Sequence, residues 1–168
     1  MNVSALTLRS KRSQRVVGDA HLRFQLTGDV YAVLAMQQVQ EVLVLPAHRL
    51  TSMPNMPACV LGLMNRRSHV FWVVDLAQLL GIPGPSTNRQ QYNIIIIRVG
   101  QVSLAVTVHQ VDGMSWLSSN EIQPPPSHLT SDMATYLRGY VVQNQQVFLV
   151  ISAESIVQSA VLHHHSPN

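Results

Sequence analysis

VLGLMNRRSHVFWVVD, Val60 to Asp75, sets one polar turn between two apolar, strand-like runs. Val60 to Met64 and Val70 to Val74 supply β-branched and aromatic side chains for a buried sheet, and Asn65, Arg66, Arg67, Ser68 and His69 supply the turn. The segment therefore predicts a β-hairpin with arginine near its tip. Nothing in it resembles a nucleophile or a metal cage. Arg67 reads either as a solvated turn charge or as a planar donor held against a carboxylate or a partner protein.

Outward from this hairpin, period-two and short apolar runs dominate, so the class is mainly β. His21 to Thr27 and Val30 to Met36 flank Gly28-Asp29 as a first hairpin, and Val39 to Val44 follows as a strand with Gln40 and Glu41 on opposite sides. Pro46, Pro54 and Pro57 punctuate an extended connection from Leu45 to Ala58. Asp75 is placed to cap a short helix, Leu76 to Leu80, which Gly81 and Pro83 end. Gly84 to Gln91 reads as a mobile loop, Tyr92 to Val99 as a strand buried on both faces, and Gly100-Gln101 as the turn into Val102 to Val108. Val111 to Leu117 is a further strand, and a short helical turn is expected near Ser131-Asp132. A last hairpin surrounds Gln143-Asn144-Gln145, and Ser152 can cap a final helix over Ala153 to Val161.

The 168 residues suit one domain or two small subdomains sharing a core. Residues 1–19 read as a disordered basic arm, 20–158 as a single domain of two subdomains, and 159–168 as a tail. The formal charge is +3, yet Arg9, Lys11, Arg12 and Arg15 all precede the first acid, Asp19. From Asp19 on, seven basic residues face eight acids, about −1 in all, which argues against nucleic acid as a partner. Charged residues make up 11% of the chain and hydrophobic ones 46%, so the surface relies on uncharged polar side chains and is easily desolvated. That composition favours a protein-binding module.

Catalytic and metal readings fare worse. The single cysteine, Cys59, lies in an apolar run and reads as a small buried hydrophobe. The eight histidines are scattered without metal-site spacing, apart from His163-His164-His165 in the tail, so no metal or cofactor is expected. A hydrolase is the remote alternative: His109 and Asp112 are close in sequence, but no nucleophile elbow or phosphate loop accompanies them. No window approaches a membrane span and no signal-peptide core is evident, so a cytoplasmic protein without direct membrane insertion is expected.

Over about His21 to Val157 the chain resembles CheW-like coupling domains of bacterial chemosensory systems. The resemblance rests on Tyr31-Ala32, on Val39-Gln40-Glu41-Val42, and on Pro57, Val60, Gly62, Leu63, Asn65 and Arg67. Val73-Val74-Asp75-Leu76, Leu80-Gly81 and Pro83 continue it in order, followed by Ile94 to Ile97, Ile122 with Pro124 and Pro125, and Gly139. Ser68 stands where the family has glycine, Trp72 where it has proline, Ala105 where it has glycine, and His109 where it has Val-Asp.

The resemblance implies two intertwined five-stranded SH3-like barrels with short helices. It also implies a non-enzymatic adaptor that bridges methyl-accepting chemoreceptor tips to the regulatory domain of a CheA-like histidine kinase, with self-association through similar barrels. A scaffold for phototaxis or type IV pilus motility is the alternative. Matching positions put Val39 and Gly62 on the kinase-facing side, and Arg67 and Ala105 near a receptor-facing groove. Glu41 and Arg67, the motif residues of opposite charge, are expected to form a structural ion pair, and Trp72 is a candidate interface anchor.

Overall fold

The computed structural model describes residues 18–84 and 89–163; residues 1–17 of the basic arm, 85–88 of the 84–91 loop, and the tail from His164 on lie outside them. Ten strands form two five-stranded sheets, the second inserted in sequence between the second and eighth strands, which belong to the first. The first two strands, β1 (Asp19–Gln25) and β2 (Tyr31–Ala35), pair antiparallel in one sheet. The chain then crosses to build the other sheet from β3 (Val39–Pro46), β4 (Val60–Arg66), β5 (His69–Asp75), β6 (Gln91–Val99) and β7 (Val102–Val108). It returns with β8 (Gln110–Leu117), β9 (Leu137–Gln143) and β10 (Gln146–Ile151). The orders are β8-β1-β2-β10-β9 and β3-β6-β7-β5-β4. Each sheet curls into a barrel, the architecture expected from the resemblance; the second barrel is one continuous stretch of chain, Val39 to Val108, and the first is assembled from the strands on either side of it.

The two barrels repeat one plan. Each holds two antiparallel hairpins joined by one parallel pair, β2 with β10 and β5 with β7. Each is completed by an isolated bridge from a residue beyond one edge strand to the other edge strand, Thr51 with Leu63 of β4 in one and Gln123 with Tyr140 of β9 in the other. A glycine precedes the second partner of each bridge: Gly62 at φ +145° and Gly139 at φ +157°. A Cβ at either position would overlap the carbonyl oxygen of Thr51 or Gln123, so the closing strands can approach only glycine. The hairpins beyond these glycines share Val-Phe-Xaa-Val, Val70 to Val73 and Val147 to Val150.

Burial follows the two-sided character of the central strands. Ile94, Ile95, Ile96 and Ile97 are all fully buried. Ile94 and Ile96 join Leu45, Met64, Phe71, Val73 and Ala105 inside the second barrel, whereas Ile95 and Ile97 join Leu22, Phe24, Val106 and Ile156 in the core between barrels. Full burial of each such side chain contributes roughly 1.5–3 kcal/mol, so β6 anchors both cores at once. Val33, Leu117, Val141, Phe148 and Val150 fill the first barrel.

Several local expectations change under tertiary packing. Strand pairing extends to Arg66 opposite His69, which shortens the five-residue turn to Arg67-Ser68. Both turn residues are left-handed, at φ +50° and +64°, the pattern of a type I′ hairpin; Asn144 and Gln145 repeat it at +50° and +65°. In β3 the core face is carried by Leu43 and Leu45, while Val42 and Val44 point outward. The Asp75 carboxylate caps α1 (Leu76–Leu79) and the Ser152 hydroxyl caps α3 (Ala153–Val157). The expected final helix is interrupted: buried Ser159, hydrogen-bonded to the Tyr136 hydroxyl at 2.6 Å, separates α3 from α4 (Ala160–His163). A short α2 (Ser131–Thr135) stands near the expected Ser131-Asp132 turn. Among the described residues no helix is long and apolar enough to cross a membrane, and no group of three or more His, Cys, Asp or Glu residues comes together.

Candidate functional site

The hairpin that opens the sequence reading borders the seam where the second barrel closes. Edge strand β3, with the stretch that follows it, meets edge strand β4 there twice. At one point backbone hydrogen bonds join β4 to Thr51, beyond the end of β3: Thr51 N–H to the Leu63 carbonyl and Leu63 N–H to the Thr51 carbonyl, both 2.8 Å. Side chains join them at the other, because strand alternation places Glu41 in the row of Leu43 and Leu45, and Arg66 in the row of Gly62 and Met64. The two rows line the barrel interior, so Glu41 and Arg66 meet at its rim.

Arg66 donates through Nε, at 3.1 Å, and through Nη2 to the same oxygen, Glu41 Oε1. Arg67, the partner expected from the motif, also forms an ion pair with that oxygen, 3.7 Å from its Nη2 and beyond hydrogen-bond distance. Its side chain is 76% exposed, against 38% for Arg66 and 22% for Glu41. The hydrogen bonds from Arg66 hold the Glu41 carboxyl below its ordinary pKa and raise that of Arg66 in return. The carboxylate is therefore ionised and already bonded. Arg66 escaped the sequence reading, although a two-residue turn would have signalled it by assigning one of two adjacent arginines to the strand.

Around this seam the other candidates take distinct positions. Val39 opens β3 and packs partly against the central core. A bulge between Val39 and Glu41 turns Gln40 outward, where its side-chain oxygen accepts a 2.9 Å bond from the Ser103 hydroxyl. Gly62 is buried beneath Thr51. Ala105 is fully buried in the second barrel's interior, where its side chain shapes a wall. Trp72 is 40% exposed on the opposite face of β5 from buried Phe71 and Val73. It lines an apolar cavity of about 290 Å³ with Val60, Val102, Leu104, Val157 and Leu162. Helix α4 forms one wall of that cavity, and His163 Nε2 lies 3.0 Å from the Val157 carbonyl oxygen.

Exposed apolar side chains recur at equivalent places on the two barrels. Val42 and Val44 face outward on edge strand β3, as Met114 and Trp116 do on edge strand β8; Val70 and Val147 face outward just after the two turns. These faces suit protein contact. The ion pair has no counterpart of that kind: β9 ends in uncharged Gln143, and Asn144-Gln145 fill the turn.

Residues 20–161 match the CheW-like domain. A probable chemotaxis protein CheW of Rhizobium etli is 29% identical over 107 residues, 63% of this chain and 68% of that protein. The chemotaxis protein CheW of Treponema pallidum is 24% identical over 162 residues, 93% of this chain and 94% of its own length. In fold the chain is similar to the scaffolding protein TtCheW of Thermoanaerobacter tengcongensis, with a TM-score of 0.70 and 21% identity over 80% of this chain and 89% of that one. With a match across most of its length, the chain belongs to the CheW-like domain family of chemotaxis scaffold and adaptor proteins.

Proposed function

We propose that this protein couples chemoreceptor tips to the regulatory domain of a CheA-like histidine kinase, working in the cytoplasm by contact and without catalysis. The observation that carries the reading is the second barrel's closed seam: it presents Val42 and Val44 on one unpaired strand edge and Arg67 at the tip of the adjoining hairpin. An apolar edge strand offers both main-chain hydrogen bonds and side-chain area to a partner barrel. Val39 and Gly62 flank that edge and fit the kinase side, with Gly62 acting through the strand approach it permits. Arg67 and the cavity under Trp72 fit the receptor side. The similar edge on β8, with Met114 and Trp116, favours additional self-association.

The test is capture of a CheA-like regulatory domain and, separately, of a methyl-accepting receptor tip, each from the source organism. Val44→Arg is expected to weaken kinase binding, and Trp72→Ala receptor binding, with folding retained. Binding of neither partner by the native protein would remove the coupling role. Kinase binding without receptor binding would favour the scaffold for phototaxis or pilus motility, a reading supported by Trp72 and Ser68 on the receptor side.

A further inference from the structure

We infer that the cavity under Trp72 binds a small amphiphile, an apolar chain or ring that carries a carboxylate head. This goes beyond the proposed coupling role and stands without it, although such a ligand would share Trp72 with the receptor side. The lining is almost wholly apolar, and its floor is firm: Val74 and Leu104 also belong to the buried core between the barrels, and Val60 and Leu162 pack against that core. Trp72 stands where the resemblance places proline, so its ring builds a wall that belongs to this chain rather than to the fold in general.

Size decides the class of occupant. The cavity measures about 290 Å³, whereas one turn of helix, about 10 Å across and 5.4 Å long, fills roughly 400 Å³. A partner helix therefore cannot enter it, and a small molecule can; ligand pockets begin at about 300 Å³. One part of the lining is adaptable: Met56 lies on the connection Met53-Pro54-Asn55-Met56-Pro57, and an unbranched thioether side chain fits itself to irregular apolar shapes. Charge decides the head. Among the described residues no acid lines the cavity, and the one ionisable side chain that does is exposed His163. Its Nε2 donates to the Val157 carbonyl at 3.0 Å, which leaves Nδ1 to face a head group; a carboxylate draws a proton onto that nitrogen, and an ammonium repels one. The Ser103 hydroxyl, also in the lining, is already donated to Gln40.

Trp72 itself reports binding. The full chain carrying Trp116→Phe, which removes the other tryptophan, is titrated with hexanoate, octanoate and decanoate below their micelle concentrations while Trp72 emission is followed. The emission should change and saturate, and affinity should tighten about fourfold for each added methylene until the cavity is full. Octylamine, with the opposite head charge, should bind several times more weakly than octanoate. Val60→Phe and Val102→Phe add bulk to two walls and should each weaken octanoate binding, with melting temperature confirming that the fold is kept. Val147→Phe, at a comparably exposed strand position on the other barrel, should leave it unchanged. No saturable change with any of the three acids, an affinity independent of chain length, octylamine binding as tightly as octanoate, or native affinity in both wall variants would overturn the inference.

Discussion

Gly62 lies directly under the Thr51 carbonyl, and that contact joins the two edges of the second barrel. Gly139 repeats it under Gln123 in the first. Both closures exchange short backbone hydrogen bonds across the seam, Thr51 with Leu63 and Gln123 with Tyr140. A side chain at either glycine would push the seam apart and force an L-residue into a backbone region it rarely adopts. Closure of each barrel thus depends on one residue without a side chain.

Gly62→Ala and Gly139→Ala are each expected to destabilise the fold by roughly 1–3 kcal/mol, lowering Tm by several degrees. Gly28→Ala is the control, since nothing lies within 4 Å of a Cβ there and its φ is not positive. Thermal melts of the three variants measure this directly; equal Tm values for all would refute the closure argument.

Glu41 binds its proton less readily when folded, because the Arg66 hydrogen bonds favour the carboxylate. Its contribution is therefore complete above its ordinary pKa of 4.5 and lost as pH falls through the lower folded value. Denaturation between pH 6 and 3 should show a smaller acid-induced loss in Glu41→Gln than in the native protein. The exchange Glu41→Arg with Arg66→Glu should recover stability lost by either change alone, more fully than Glu41→Arg with Arg67→Glu.

Ser68 occupies a left-handed conformation at φ +64°, where glycine is at ease. Ser68→Gly should therefore stabilise the protein by about 0.5–1 kcal/mol, less the extra entropy that glycine brings to the unfolded chain. Gln145, at φ +65° in the equivalent turn, should respond alike. Urea midpoints read the effect, and a lower midpoint for Ser68→Gly would contradict it.

Cys59 is buried, and burial raises its thiol pKa from the ordinary 9.0. The thiolate that reacts with alkylating reagents is thus scarce at pH 8, and access to it is blocked. Iodoacetamide should modify the native protein far more slowly than the urea-unfolded chain, by mass spectrometry. Comparable rates would show that Cys59 is accessible in the folded state.

Much of the fold was legible in the chain because its signals are local. Alternation marked β1, β4, β5, β7 and β10 nearly to their ends, Asp75 and Ser152 announced their caps, and the Ile94 to Ile97 run declared a strand with two buried faces. In β3 the strand itself was legible but its inward face was not: the seam turns Leu43 and Leu45 inward and leaves Val42 and Val44 exposed. The final helix likewise followed helical propensity through Ser159, which Tyr136 instead draws into the core.

By itself, then, the sequence determined the ten strands, the two caps and the chemistry available at the hairpin: two arginines, one glutamate and no nucleophile. Only the tertiary structure decided that Arg66 joins Arg67 at Glu41 and makes the hydrogen bonds, that Gly62 serves Thr51, and that Ala105 faces inward. The physical reason is that strand period and turn chemistry act over a few residues, whereas the partners across a barrel seam are set by how two distant edges meet.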